Sequence, residues 1–402
     1  MRQHERHRGL ALAAKAAAGV GLGGLGAVGV GSLGLATYFA RKVVTPDVDK
    51  PDNVVVRAVD RAGGTVTLDA NEDTVAPGQY GLWLQGGEGH ARLGEVVAGQ
   101  AAGSVTRTLH GVDRGVLDPG GARWNQYYFA GSPQLSLGLP TEDVVVTSDV
   151  GDLPTWLVPP AGGPAGPDGG GSGRWAVLVH GRGARRDECL RAVPVLHGLG
   201  LTCLIPHYRN DVGAPPSRDG RHNLGLSEWR DVEAAMLYAV RHGAQEIVLV
   251  GWSAGGAIVL QTLDRSWLSE RVSSIVLDAP VIDWADVLRH QARINKVPLP
   301  VESLSRVLIG RPATRRLVGV HEPIDVAKTN WVARADELDR PTLLIHSEAD
   351  EFVPCGPSAE LARRRPDLVR FETDWGARHT KEWNVDPERW DGVVRDFLTA
   401  RG

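Results

Sequence analysis

The run Gly251-Trp252-Ser253-Ala254-Gly255 is where residue types and spacing first point to chemistry. It follows an apolar stretch, 247–250, that reads as a buried strand, and it precedes a helical stretch, 254–263. A serine on a sharp strand-to-helix turn is held exposed at the edge of a sheet, and glycines two positions to either side let the backbone close around it. The start of the following helix favours negative charge. A serine hydroxyl is a weak nucleophile and needs a base, itself oriented by a third group. Where such a turn sits on a parallel sheet, the partners follow in the order acid, then histidine. Residues 342–346 read as a strand, and the loop after it carries Asp350. Residues 369–373 read as the next strand, and their exit loop delivers His379. Ser253, Asp350 and His379 are therefore expected as nucleophile, orienting acid and base. Asp278, at the end of another strand, and Glu348 are the alternatives for the acid.

An attacked carbonyl develops an oxyanion that needs two backbone N–H donors. One is expected from Ala254. The other is expected from Arg182, in the loop His180-Gly181-Arg182-Gly183 that follows an apolar run, 175–179. His180 reads as ordering that turn. Arg182, Arg185 and Arg186 cluster beside it, as a recognition patch for an anionic group or as a solvated loop. Cys203 and Cys355 read as small packing residues.

Apolar strands alternate with amphipathic helices from residue 142 onward, which argues for a parallel sheet covered on both faces. In the helix 227–241, Trp229, Val232, Met236 and Val240 share one face. The Gly/Pro-rich stretch 159–173 reads as a loop. The segment 279–341 is longer than one crossover helix requires and reads as a cap over the site, or alternatively as an ordinary crossover with a long loop. Upstream, 52–139 reads as short strands between Gly and Pro turns: a small all-β domain without clustered reactive groups, serving packing or spacing.

Residues 16–40 carry no charge and are long enough to span a bilayer. Arg2, Arg6, Arg8 and Lys15 precede them, which favours an inside N-terminus and a catalytic domain on the extracytoplasmic side of the membrane. Gly19, Gly23, Ala27 and Gly31 recur every fourth residue, as small residues do where membrane helices approach closely. A cleaved signal peptide is the rival reading. The 44 Lys+Arg against 48 Asp+Glu leave a net charge of −4, too balanced for nucleic acid as the main partner. Three cysteines without a CxxC pair exclude a disulfide framework and a cysteine metal site.

Taken in order, His180-Gly181, the Gly251–Gly255 turn, the Asp350-x-x-Val353-Pro354 loop and His379 resemble the α/β-hydrolase superfamily from about residue 141 to 400. Within it the chain is similar to the bacterial serine aminopeptidase and dienelactone-hydrolase-like branches. The resemblance implies a mostly parallel eight-stranded sheet flanked by helices and a Ser–His–Asp acyl-enzyme mechanism without metal or organic cofactor. The expected organisation is an anchor over 1–42 with a transmembrane helix, a β-rich accessory domain over 51–140 and a catalytic domain over 141–402. The expected substrates are esters first, then small peptides or amides. The alternatives are an acyltransferase using the same triad and a non-catalytic anchored binding scaffold.

Overall fold

The computed structural model describes residues 33–46, 51–97, 103–162 and 173–400. In the first folded unit, β1 (Val54–Asp60), β2 (Thr65–Asp69), β3 (Tyr80–Leu84), β4 (Gly89–Val96), β5 (Ser104–Arg114) and β6 (Gly120–Asn125) pair antiparallel. They close into a barrel in the order β1-β2-β5-β4-β3-β6. Alternation builds it: Val54, Val56, Val66 and Leu68 point inward to meet Leu82, Leu93, Val105 and Trp124. One end is sealed by Arg107, which is fully buried. Its guanidinium donates to the carbonyls of Gly94, Thr74, Ala76 and Gly78 at 2.5–2.9 Å. A buried cation is tolerable only when its donors are satisfied in this way.

The second unit is one eight-stranded sheet. Its strands are β7 (Glu142–Ser148), β8 (Gly151–Val158), β9 (Arg174–Val179), β10 (Thr202–Pro206), β11 (Glu246–Trp252), β12 (Val272–Asp278), β13 (Thr342–Ile345) and β14 (Val369–Glu372). The order is β14-β13-β12-β11-β9-β10-β8-β7. The pairs from β14 to β10 are parallel, and β8 and β7 are antiparallel at the edge. Two apolar cores lie against the sheet. One holds Met236 and Ile258 from the helices Trp229–Arg241 and Ala254–Arg265. The other holds Trp390, Val394 and Phe397 from the C-terminal helix Pro387–Thr399. Between β12 and β13 the chain forms the helices Trp284–Ile294, Leu299–Gly310 and Arg315–Val318, gathered in a third cluster.

Residues 33–44 are helical and pack into that third cluster through Ala36, Ala40 and Val44. This corrects the expected membrane span over 16–40: side chains buried against the protein do not face lipid. Among the described residues no helix is long and apolar enough to cross a membrane. Residues 16–32, which hold the rest of that run, lie outside the described residues.

The barrel and the sheet interlock. Asn384, fully buried, donates its side-chain amide to Gln79 O (2.7 Å) and Gln126 O (2.9 Å), and its backbone carbonyl accepts Gln79 N–H at 2.8 Å. Gly78 sits in this clasp at φ 97°, where a Cβ would meet Asn384 O at 2.1 Å. Lys381 pairs with Asp73 (2.6 Å) and Arg378 with Glu72 (3.1 Å). The accessory domain thus does more than space: it touches the residues on both sides of His379.

Candidate active site

Ser253 caps β11 in a conformation that side chains rarely adopt, φ 51° and ψ −118°. The turn is possible because its flanks are glycine. A Cβ on Gly255 would lie 2.1 Å from Val179 O, and one on Gly251 would lie 2.8 Å from Gly255 O. Ser253 N–H donates to Asp278 O at 3.0 Å, which ties the turn to β12. Ala254 opens the following helix, where first-turn N–H groups have no intrahelical acceptor.

The loop after β14 places His379 with Nε2 2.9 Å from Ser253 Oγ and Nδ1 2.6 Å from Asp350 Oδ2. With the proton on Nδ1 donated to Asp350, Nε2 is left as the acceptor for the serine proton. Asp350 is held in turn. Its Oδ1 accepts the N–H groups of Phe352 and Val353, both at 2.8 Å. Burial opposes its ionisation, but the charge of His379 and the bonds from His346 and His379 outweigh burial and hold its pKa well below the usual carboxylate range. Glu351 accepts from His379 N–H (3.2 Å) and from Arg378 (3.0 Å), so the acid loop and the histidine loop are joined directly.

The loop after β9, expected to hold the oxyanion, is fixed from beneath. Gly181 N–H donates to the buried Glu188 carboxylate at 2.6 Å, and Gly181 O accepts Tyr208 O–H at 3.0 Å. A Cβ on Gly181 would lie 3.2 Å from Ser253 Cβ, so the loop runs against Ser253. Arg182 is next along that backbone. Its guanidinium turns away to the carbonyls of Lys42 (3.1 Å) and Thr45 (2.7 Å). The three arginines therefore do not form one anion-recognition patch. Arg185 lies over Trp83 and Arg186 over Trp156.

His180, His207 and Asp211 are the one group among the described residues with metal-like spacing. Their atoms already bond to one another: Asp211 Oδ2 meets His180 Nε2 at 2.9 Å and His207 Nδ1 at 3.1 Å, and His180 Nδ1 meets Gly181 O at 3.0 Å. Burial lowers the pKa of His180, but the Asp211 charge more than compensates and raises it. The cluster orders the turn.

Two residues that sequence reasoning missed support the site. His346, fully buried, offers Nε2 to Asp350 Oδ2 (3.2 Å) while Nδ1 meets Ser358 Oγ (2.8 Å). Its place four residues before Asp350, at a strand end, was the available signal. Glu188 had none beyond lying seven residues past Gly181. The alternative acids stand elsewhere. Asp278 accepts Trp390 Nε1–H (2.8 Å), and burial raises its pKa beside Glu382, itself raised by burial and by Asp278. Glu348 is exposed. Burial pushes the Cys203 and Cys355 thiols up to about 12 and about 11, which keeps both protonated near neutral pH.

A family described as "alpha/beta hydrolase fold" matches residues 176–300, a stretch that holds the oxyanion loop and Ser253. The sheet unit has the α/β-hydrolase fold. An esterase of Pyrococcus furiosus superposes on this chain with a TM-score of 0.51 at 18% identity, covering 68% of this chain and 96% of its own. A second crystal form of that esterase gives 0.51 at 19%. In sequence, an uncharacterized Mycobacterium tuberculosis protein is 28% identical over 286 residues, 66% of this chain and 83% of its own length. A separate family, "Domain of unknown function (DUF8805)", matches residues 55–125, the barrel that precedes the α/β-hydrolase unit.

Proposed function

We propose that the chain is a serine hydrolase that cleaves carboxylic esters through Ser253, His379 and Asp350. The observation that carries this is the unbroken series Ser253 Oγ–His379 Nε2 (2.9 Å) and His379 Nδ1–Asp350 Oδ2 (2.6 Å). His379 Nε2 takes the Oγ proton as Oγ bonds to the ester carbon. The N–H groups of Ala254 and Arg182 hold the oxyanion. Collapse breaks the bond to the alcohol oxygen, which leaves with the proton from Nε2. Water then attacks the acyl-enzyme, gives its proton to Nε2, and the acid departs as Ser253 regains the proton. Asp350 stays ionised throughout and steadies the imidazolium.

The test is fluorophosphonate labelling and p-nitrophenyl ester hydrolysis by the wild type, Ser253→Ala and His379→Ala. Labelling of the wild type alone is expected, with turnover reduced on the order of 10⁴–10⁶-fold in both variants. A folded wild type that neither labels nor turns over any ester overturns the reading. Peptide and amide substrates enter the same screen.

The protein attaches to a membrane through the apolar residues 16–32, with the folded units on the extracytoplasmic side. Support comes from the helix just beyond that run, where Leu33, Leu35 and Tyr38 are 41%, 41% and 59% exposed on the face turned away from the protein. Release of the full chain by a carbonate wash would contradict this.

A further inference from the structure

The cavity beside Ser253 measures about 520 Å³ and is mostly apolar. The cap supplies Trp284, Val287 and Leu288. Another part of its lining comes from outside the α/β-hydrolase unit: Phe39, Ala40 and Val43 of the helix over 33–44. This helix is locked in place. Ser305 Oγ donates to Ala36 O (3.0 Å), Arg41 Nε to Leu317 O (2.9 Å) and His222 N–H to Val44 O (2.8 Å). Arg221 reaches Thr45 Oγ1, and Arg182 holds the carbonyls of Lys42 and Thr45. Ala36 and Ala40 are small and buried, which permits the close approach to the cap. Thus one residue, Arg182, serves two places: its backbone runs beside Ser253 and its side chain grips the N-terminal helix.

We propose that the helix over 33–44 is the specificity-determining wall of the Ser253 site, and that the site takes esters of an apolar acyl chain, whose methylenes lie along Phe39, Ala40 and Val43. The inference rests on the reading of Ser253 as nucleophile. Burying one methylene is equivalent to up to about fourfold in kcat/KM. Activity should therefore climb with acyl length until the chain meets the end of the cavity. Phe39 and Val43 are half-buried, so changes there are borne better than at Ala40.

The experiment measures kcat/KM for p-nitrophenyl esters from acetate to palmitate with the full chain in detergent, for the wild type, Val43→Phe and Phe39→Ala. Fluorophosphonate labelling of Ser253 is read in each. Val43→Phe, which fills the cavity, should lower the octanoate-to-acetate ratio by at least tenfold and shorten the preferred chain. Phe39→Ala, which removes wall area, should flatten the climb per methylene. Ratios unchanged in both variants while Ser253 still labels would overturn the wall and leave the nucleophile standing. No labelling and no turnover in the wild type would remove the nucleophile and this inference together.

Discussion

Replacing Glu188 by alanine should slow acylation while leaving Ser253, His379 and Asp350 in place. Glu188 is 3% exposed, and its Oε2 accepts the Gly181 N–H at 2.6 Å. Its Oε1 accepts the Gln126 amide at 3.1 Å, and Arg191 stands 3.7 Å away. Arg191 also donates to Thr380 O at 2.6 Å, next to His379. A hydrogen bond to a charged group contributes about 1.5–3 kcal/mol. Loss of that hold on the oxyanion loop corresponds to an acylation rate lower by about 10- to 150-fold. The ceiling is the loss of one oxyanion donor, about 10²–10³-fold. Stability should fall by about 3–5 kcal/mol, since Arg191 would be left as an uncompensated buried charge. Glu188→Gln keeps an acceptor for Gly181 and should recover most of the rate. The assay is the burst-phase rate with a p-nitrophenyl ester, at a temperature where circular dichroism shows each variant folded. A folded alanine variant that acylates at the wild-type rate would refute the claim that Glu188 holds the oxyanion loop.

Glu382 keeps a proton in the folded state that the unfolded chain releases as pH passes 4.5, so stability should decline as pH rises from there towards its raised pKa. Glu382→Gln removes that slope, and its denaturation midpoint should gain on the wild type between pH 5 and pH 8; a constant offset would count against a protonated Glu382. Asp73→Ala breaks the contact with Lys381 and weakens that with Arg378. The half-exposed pairs contribute about 1 kcal/mol or less to stability, but hydrogen exchange around His379 should quicken, and unchanged exchange would deny the barrel a part in holding that loop. Gly255→Ala places a Cβ 2.1 Å from Val179 O and should cost several kcal/mol or solubility; a soluble variant with the wild-type melting temperature would contradict the close approach.

The sheet was legible because its strands are continuous apolar runs with no competing period, as in β9 and β11, and because the turn chemistry around Ser253 admits few other uses. His379 and Asp350 followed from strand order. The barrel was only half legible. β1, β2, β3 and β5 show β-branched or aromatic residues in sequence. β4 and β6 are rich in glycine and charge, so no alternation of apolar residues marks them; at Gly94 a Cβ would sit 2.2 Å from His110 Nε2. The span over 16–40 was read too long for a different reason. Ala36 and Ala40 look the same facing lipid or facing a cap, and hydropathy alone does not distinguish the two. His346, Glu188 and Asn384 were hidden because each acts on residues brought near by folding, and no local period marks them.

The clasp around Asn384 sets an order of assembly. The barrel leaves the ribosome first, with each strand paired to others within the same 72-residue stretch from Val54 to Asn125. Ser253 is synthesised next, on the central strand, with its base still 126 positions away. Only when the last stretch of chain arrives does Asn384 find Gln79 and Gln126, and the neighbouring loop then brings His379 against Ser253. The nascent polypeptide therefore lacks the Ser253–His379 contact until its carboxyl end has docked onto the barrel, and on the proposed reading a prematurely terminated product is inert.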